Sequence, residues 1–137
     1  MQAYTLGFLF SKDGNVVWLI RKKRPTWQAG LLNGVGGHIE KDESAIDAMI
    51  REFKEEAGLS IADWNHFCTI SDDINYECYC YLAFSDEMPK TETEEEIVWY
   101  PTNCLPKDVV FNLHWMVPMA LNFGERLKPY WVNEKFV

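Results

Sequence analysis

Short runs of β-branched, aromatic and aliphatic residues recur along the chain between turn-forming residues, a pattern that predicts strands. The first two runs flank the sequence Ser-Lys-Asp-Gly-Asn, which favours a tight connection between antiparallel neighbours. The fold is therefore predicted to open with a β-hairpin. The predicted strands cover residues 2–10, 16–23, 61–70, 74–84 and 97–101, and an edge strand is predicted within residues 126–136.

Residues 44–57 have the spacing of an amphipathic helix. Successive residues of a helix turn by about 100°, so five apolar side chains share one arc that would face the core. Asp42 is predicted to cap the start of this helix, and Gly58 to end it in the left-handed conformation. The five apolar side chains belong to Ile46, Met49, Ile50, Phe53 and Ala57.

A second helix is predicted over residues 112–123, where Pro118 would either kink the helix or mark its start. Residues 24–30 are predicted to form a loop, and the glycine-dense residues 33–37 that follow, Asn-Gly-Val-Gly-Gly, are predicted to let the backbone approach another group closely. No repeat or linker interrupts the pattern. We therefore expect one mixed α+β domain over residues 1–137.

The composition limits the classes of molecule that the protein is expected to bind. The chain has 137 residues, with 21 acidic and 13 basic side chains and a formal charge of -8. This charge repels polyanions, so DNA and RNA are poor partners. No apolar stretch approaches the ~20 residues that span a bilayer, which argues against a membrane protein. The four cysteines lack the spacing of a zinc site, and we interpret them as reduced residues of a cytoplasmic protein.

Three glutamates of the first predicted helix fall on one face. Glu52, Glu55 and Glu56 stand at positions i, i+3 and i+4, and the residues one turn before them are Ala45 and Ala48. Like charges at this spacing repel each other, so they need either solvent or a cation. A solvated face has no reason to prefer alanine, which favours the cation. Oxygen ligands without His or Cys select Mg²⁺, and Mn²⁺ is expected to substitute.

The segment around these glutamates resembles the signature box of the Nudix hydrolases at every fixed position. The resemblance implies the Nudix fold, a mixed sheet sandwiched between helices, in which the box forms a loop, a helix and a loop that hold divalent cations. It also implies cleavage of a diphosphate linked to another moiety. The matching residues are Gly37, Glu43, Arg51, Glu52, Phe53, Glu55, Glu56, Gly58 and Leu59.

The resemblance also implies roles for individual residues. Glu52 and Glu56 match metal ligands, Glu55 matches a ligand or a water-mediated partner, and the carbonyl of Gly36 matches a further ligand. Glu52 is the expected general base, although members of the family differ in which glutamate activates water. Four residues of the box have supporting roles: Gly37, Glu43, Arg51 and Gly58, with Glu43 and Arg51 as an ion pair that orients the helix.

Outside the box, the pattern Trp-x-x-Gly-x-x-Asn-Gly-x-Gly-Gly over residues 27–37 is similar to the MutT-like branch, especially its oxidised-purine triphosphatases. By that resemblance Trp27 and Asn33 contact the nucleobase. Trp27 could instead anchor the core, and Asn33 could instead form a tight turn. Asn112 falls where those relatives place another polar residue that reads the base, in a position that is acidic in the closest of them.

Two charged runs outside the box are candidates for binding the phosphate chain or the cation that neutralises it. Arg21, Lys23 and Arg24 lie at the end of a predicted strand and could bind phosphates, or they could simply solubilise the strand end. Glu94 precedes the last central strand in a loop from which some Nudix relatives supply one more metal ligand. The alternative for this glutamate-rich loop is a solvated surface.

Together these features predict Mg²⁺-dependent hydrolysis of a nucleoside triphosphate, such as the oxidised purine nucleotide 8-oxo-dGTP, to the monophosphate and pyrophosphate. The expected partner is a small nucleotide, and the expected role is sanitation of the nucleotide pool. One alternative is an ADP-ribose or nucleotide-sugar pyrophosphatase, which the box does not distinguish. A non-catalytic nucleotide-binding module is a second alternative, disfavoured because all box glutamates are present. The sequence leaves the oligomeric state open.

Overall fold

A computed structural model describes residues 1–124 and 128–135. It contains eight strands, two α-helices and one short 3₁₀ turn, Thr26–Gln28. In chain order the elements are β1 Gln2–Phe10, β2 Val16–Arg21, β3 Leu32–Asn33, β4 Val35–His38, α1 Ala45–Ala57, β5 Asn65–Ser71, β6 Tyr76–Phe84, β7 Ile97–Pro101, α2 Leu113–Leu121 and β8 Tyr130–Asn133.

The strands form one mixed sheet around β1. Strand β1 pairs along its whole length with β6 in parallel, and on its other side it pairs with β4 in its first half and β2 in its second half. The full order is β3-β2-β1-β6-β5-β8, with β7 on the other side of β2. The predicted hairpin of β1 and β2 is confirmed, and so is the edge position of β8, which pairs in parallel with β5.

The sheet separates two hydrophobic clusters because successive side chains of a strand point to opposite faces. In β1, Phe8 and Phe10 belong to the cluster that packs under α2, whereas Leu9 belongs to the cluster under α1. Met49 and Phe53 fill the α1 cluster and are fully buried. The sheet therefore lies between the two helices, which confirms the predicted α+β architecture of a mixed sheet sandwiched between helices.

The start of α1 differs from the prediction. Ser44, not Asp42, is the N-cap, and its hydroxyl accepts a hydrogen bond from the backbone N–H of Asp47 at 3.2 Å. Asp42 instead has a left-handed backbone with φ of 65° in the preceding turn. Gly58 ends the helix with φ of 75°, as predicted, and its N–H bonds to the carbonyl of Lys54.

The glycine-rich segment forms strands β3 and β4, which were not among the predicted strands because glycine is depleted in strands. Here the missing side chain is what allows pairing, since a Cβ on Gly36 would lie 1.9 Å from the carbonyl oxygen of Thr5 in β1. The prediction that this backbone approaches another group closely is therefore confirmed, with β1 as that group.

The remaining elements differ from the prediction mainly at their ends. Strand β2 ends at Arg21, and helix α2 begins at Leu113 and continues through Pro118, which is exposed on the outer face of the helix. Pro118 therefore does not mark the start of α2. Strand β8 covers four residues of the predicted segment 126–136, of which residues 126, 127 and 136 lie outside the described residues. Among the described residues, neither helix has the length and apolar character needed to span a bilayer.

Candidate active site

Arg51 connects helix α1 to the segment that follows β4. Its Nε and Nη2 donate to the two carboxylate oxygens of Glu43 at 2.8 and 2.9 Å, and Nη2 also donates to the carbonyl of His38 at 3.0 Å. Hydrogen bonds from Arg51 lower the pKa of Glu43 to about 2. The ion pair implied by the resemblance is thus present, and it fixes the entry to the helix.

Two of the three clustered glutamates also contact Arg51. Its Nη1 lies 3.0 Å from Glu52 and 3.4 Å from Glu55. Glu52 is 13% exposed and its carboxylate packs against Gly37, where a Cβ would lie 2.5 Å from Glu52 Oε1. Burial raises the pKa of Glu52 despite the neighbouring guanidinium. Glu55 is 57% exposed, so solvent screens its charge.

Glu56 differs from the other two clustered glutamates because one of its carboxylate oxygens has no partner in the described part of the chain. Its Oε2 is buried and has no hydrogen-bond partner among the described residues. Burial raises the pKa of Glu56 to about 7, the positive charge of Lys22 opposes this rise, and the charges of Glu52 and Glu95 add to it. A buried carboxylate oxygen with no donor is costly and calls for a ligand.

Glu56 has two charged neighbours, Lys22 and Glu95, which belong to the basic and acidic runs noted above but were not among the predicted site residues. Lys22 Nζ lies 3.2 Å from Glu95 Oε1, and the backbone N–H of Lys23 donates to Glu95 Oε2 at 2.6 Å. Burial alone would raise the pKa of Glu95, but these two partners lower it below the ordinary value. Strand alternation is the signal that could have found both, because Lys22 follows the α1-facing Ile20 by two residues and Glu95 precedes the α1-facing Ile97 by two.

Glu94, the residue predicted from this loop as a metal ligand, contacts another group. Its carboxylate pairs with the guanidinium of Arg24 at 2.9 Å, and both side chains are more than half exposed. Glu95 is the buried member of the run, with 5% of its surface exposed. Within this loop it is therefore Glu95 that lies near Glu56, and the ligand role of Glu94 stays a prediction.

The basic residues predicted to bind phosphate have different surroundings. Arg21 forms an ion pair with Asp108 and donates to the carbonyl of Gly30 at 3.1 Å, so its guanidinium is engaged. Arg24 is paired with Glu94. Lys23 is exposed, and within the described part of the chain no carboxylate lies within 4.0 Å of its ammonium group. Lys23 is thus the predicted cation that is available to an incoming anion.

On the predicted base side, Trp27 stands on the 3₁₀ turn and is 68% exposed, which excludes the core alternative. Asn33 is half-buried in β3. Its Nδ2 donates to Gln28 Oε1 at 3.0 Å, and its Oδ1 accepts from the N–H of Gly34 at 2.8 Å. The side-chain oxygen of Asn33 thus bonds locally, as the tight-turn alternative predicts. One N–H and one lone pair of the amide remain available to another partner.

Asn112 follows a segment that pairs with β3. The N–H of Leu32 donates to the carbonyl of Asp108, and the N–H of Val110 donates to the carbonyl of Leu32, both at 2.8 Å. The side chain of Asn112 donates to Glu134 Oε1 at 2.9 Å. Glu134 was not identified from the sequence, because nothing in the pattern links the end of the chain to this position.

The carboxylates fit a divalent cation in type and burial. All candidate donors are oxygens, which suits a hard cation such as Mg²⁺. The unpartnered Glu56 Oε2 next to the buried Glu52 is the kind of atom such an ion would satisfy. Within residues 1–124 and 128–135, no three acidic, histidine or cysteine side chains already converge as ligands, because Glu52 and Glu55 are both turned to Arg51.

Comparison with protein families gives one match that covers most of the chain. A family model described as NUDIX domain matches residues 2–119. A sequence relative, the CTP pyrophosphohydrolase of Escherichia coli strain K12, is 37% identical over 51 residues. That match covers 37% of this chain and 37% of the relative, so the chain aligns with little more than a third of that protein.

Solved structures with a similar fold cover nearly the whole chain. A MutT NUDIX hydrolase from Burkholderia pseudomallei has a TM-score of 0.74 at 20% identity, and the match covers 86% of this chain and 96% of that one. The NUDIX domain of Shewanella oneidensis NrtR, complexed with ADP ribose, has a TM-score of 0.71 at 21% identity, covering 87% and 85%. These likenesses support the fold.

Proposed function

The chain belongs to the Nudix family of hydrolases, MutT-like in its fold, and on this premise we propose that it cleaves a nucleoside triphosphate to the monophosphate and pyrophosphate. The observation that carries the proposal is the buried Glu56 Oε2, which has no partner among the described residues and lies within electrostatic reach of Glu52, Glu95 and Lys22. A carboxylate in this state is suited to a cation that bridges to phosphate oxygens.

The residues that would hold the cation are Glu52, Glu56 and the carbonyl of Gly36, with Glu55 in direct or water-mediated contact. Glu95 takes the place of Glu94 in this proposal, because it is buried and near Glu56. We propose Mg²⁺, with Mn²⁺ able to substitute. When bound, the cation would neutralise charge on the phosphates and activate water.

The chain's own residues have separate roles in the reaction. Glu52 accepts the proton of the attacking water, the role that its match to the family's box implies. Arg51 holds Glu52 in place through the hydrogen bond from Nη1. Lys23 attracts the terminal phosphate, whose two negative charges have no other unpaired cation nearby in the predicted basic run.

Base recognition is assigned to Trp27, Asn33 and Asn112. The exposed ring of Trp27 offers a stacking surface. The amide of Asn33 keeps one donor and one acceptor free for a base edge. We favour a modified purine triphosphate and a role in cytoplasmic nucleotide sanitation. The names of the similar proteins point to CTP and ADP-ribose as the rival substrates.

Side-by-side kinetics test this proposal. We expect kcat/KM for the preferred nucleoside triphosphate to exceed that for ADP-ribose by at least about tenfold, a difference of ~1.4 kcal/mol in transition-state stabilisation. The panel should include GTP, 8-oxo-dGTP, ATP, CTP and ADP-ribose at equal Mg²⁺. Release of pyrophosphate, and its loss with chelator, identifies the reaction.

The variant Lys23→Gln provides the mechanistic check. It should lower kcat/KM for triphosphates and leave ADP-ribose unaffected, because only the triphosphate has a terminal phosphate. Arg24→Gln is the matched control, since Arg24 already pairs with Glu94 on the surface. ADP-ribose as the better substrate would refute both the function and the role of Lys23.

A further inference from the structure

Three of the four cysteines lie on neighbouring strands and on one face of the sheet. Cys78 and Cys80 are two residues apart in β6, so their side chains share a face, and Cys80 is directly opposite Cys68 in the antiparallel pairing with β5. Cys68 and Cys80 belong to the α2 cluster, and Cys78 packs against it. The fourth cysteine, Cys104, is exposed and follows β7. The proposed hydrolysis uses none of these thiols.

The thiol of Cys80 lies between the other two. Cys80 Sγ is 3.9 Å from Cys78 Sγ. On the side of β5, a hydrogen bond from the Cys80 thiol lowers the pKa of Cys68, whereas burial raises the pKa of Cys80. Residues directly opposite each other in antiparallel strands have Cα atoms about 4.5–5.5 Å apart, a separation that disulfides span. Cys80 therefore has one thiol within reach on its own strand and one on the neighbouring strand.

The three thiols differ in their access to solvent. Cys68 and Cys80 have no exposed surface, whereas Cys78 is half-buried. A thiol that is fully buried in apolar surroundings does not meet a dissolved oxidant and is inert by itself. Cys78 is therefore the member of this group that an oxidant reaches first, and Cys80 and Cys68 react only through it.

We propose that these three cysteines form a site of reversible oxidation, in which a hydroperoxide oxidises Cys78 and the reaction ends as a disulfide between Cys68 and Cys80. In the first step the Cys78 sulfur attacks a peroxide oxygen and the O–O bond breaks, which gives a sulfenic acid and an alcohol, or water from hydrogen peroxide. In the second step the Cys80 sulfur attacks the Cys78 sulfur and the S–O bond breaks. The hydroxyl group leaves as water with the thiol proton of Cys80.

The disulfide then passes to the neighbouring strand by exchange. The Cys68 sulfur attacks the Cys80 sulfur, the bond to Cys78 breaks, and Cys78 takes up the proton that Cys68 loses. Residues two apart in a strand have Cα atoms about 6.6 Å apart, at the upper end of the range for a disulfide, so the cross-strand bond is the less strained product. Overall, two thiols and one hydroperoxide give one disulfide, one alcohol or water, and one further water.

The test is a map of the disulfides formed in the folded protein, and it needs no turnover of a nucleotide. The chain is treated with hydrogen peroxide, the peroxide is removed with catalase, and the remaining thiols are alkylated in denaturant. Cleavage before Asp72 and Asp73 separates Cys68 from the peptide that contains Cys78 and Cys80. Mass spectrometry should find the two peptides joined through Cys80, with Cys78 and Cys104 alkylated, and dithiothreitol should restore all four thiols.

Variants test the order of the steps. Cys78→Ala removes the accessible thiol, so the disulfide between Cys68 and Cys80 should form at least about tenfold more slowly. Cys104→Ala is the matched control, because it removes a more exposed thiol outside the group, and the rate should change less than about twofold. In Cys68→Ala the reaction should stop at a disulfide between Cys78 and Cys80, within one peptide.

The wild-type map alone decides the proposal if a buried variant does not fold. Oxidation confined to Cys104 overturns the proposal, and so does a sulfinic acid at Cys78 while Cys68 and Cys80 are still alkylated. A disulfide that forms at the wild-type rate in Cys78→Ala also overturns it, because the buried pair would then react without the accessible thiol. Failure of Cys68→Ala, correctly folded, to form the disulfide within one peptide overturns the proposed relay.

Discussion

The two sides of the proposed site are built from different kinds of contact. On the phosphate side, one guanidinium fixes carboxylates of α1 and of the segment before it, as Arg51 contacts Glu40, Glu43, Glu52 and Glu55. On the base side, amides and an exposed indole come from a 3₁₀ turn, from β3 and from the start of α2. Phosphate chemistry is thus supported by one helix and its ion pairs, whereas base selection depends on segments distant in sequence.

The two sides also differ in how far their side chains are buried and whether they are hydrogen bonded. Glu56, on the phosphate side, is buried and lacks a hydrogen-bond partner for Oε2 among the described residues. On the base side, Trp27 faces solvent and the amides of Asn33 and Asn112 are already hydrogen bonded. Changes on the first side should therefore affect the reaction itself, and changes on the second should affect which nucleotide is bound.

The largest effect is expected for Glu56→Gln. The amide has the same shape but cannot hold a cation as a carboxylate does, so kcat/KM should fall at least about 100-fold, a loss of ~2.7 kcal/mol. Because burial raises the pKa of Glu56 to about 7, a neutral side chain relieves the cost of an ionised one at higher pH. The melting temperature at pH 8 should not decrease.

Glu55→Gln is the control on the same helix, since Glu55 is more than half exposed and its contact with Arg51 is long. It should reduce activity less than Glu56→Gln does. Retention of more than a tenth of wild-type kcat/KM by Glu56→Gln would contradict the assignment of Glu56 as a metal ligand.

The second prediction concerns stability on the phosphate side. Glu43→Gln should lower the free energy of unfolding at pH 7 by about 1–3 kcal/mol, because it removes the acceptor of two charged hydrogen bonds from Arg51. The pKa of Glu43 is lowered to about 2, so its contribution is present above pH ~4.5 and is lost as pH falls towards about 2. Urea unfolding at pH 7, 4 and 2.5 measures this dependence.

Glu40→Gln is the companion variant, since Glu40 lies 3.8 Å from Arg51 and is largely exposed. Its effect on the free energy of unfolding should stay within about 0.5 kcal/mol. A Glu43→Gln protein with normal stability but no activity would mean that Glu43 takes part in the chemistry and does not only support the helix.

The contrast between a phosphate side built on one helix and a base side built from distant segments also explains which features were predictable from the sequence. Helix α1 and its box were predictable, because thirteen consecutive residues follow one helical period and the box residues have fixed spacing. Strand β3 was not, because two residues carry no periodicity and the glycines beside it favour a loop. The burial of Glu95 was not predictable either, because counting along a loop does not determine which residue of a glutamate run turns inward. Glu134 depends on pairing between distant strands, which a single sequence does not encode locally.

The third prediction tests the base side. Trp27→Ala should raise KM for nucleoside triphosphates by about tenfold, because stacking on an aromatic ring contributes roughly 1–3 kcal/mol per base. The ring is exposed, so the melting temperature should stay within about 1–2 °C of the wild type. Asn33→Ala should instead change the ranking among bases, since it removes a group that reads the base edge. Unchanged kinetics with a lower melting temperature would assign Trp27 a purely structural role.

The smallest effect is expected for Glu94→Gln, which returns to the phosphate side. Glu94 is exposed and paired with Arg24, and exposed ion pairs contribute about 0–1 kcal/mol, so kcat/KM should change less than about twofold. Glu95→Gln is the matched variant one residue away, and it should lower kcat/KM at least about fivefold, because it alters a buried carboxylate beside Lys22 and Glu56. Steady-state kinetics of the two variants at several Mg²⁺ concentrations distinguish the residues. A reversed order of the two losses would return the ligand role to Glu94 and leave Glu95 as the partner of Lys22 alone.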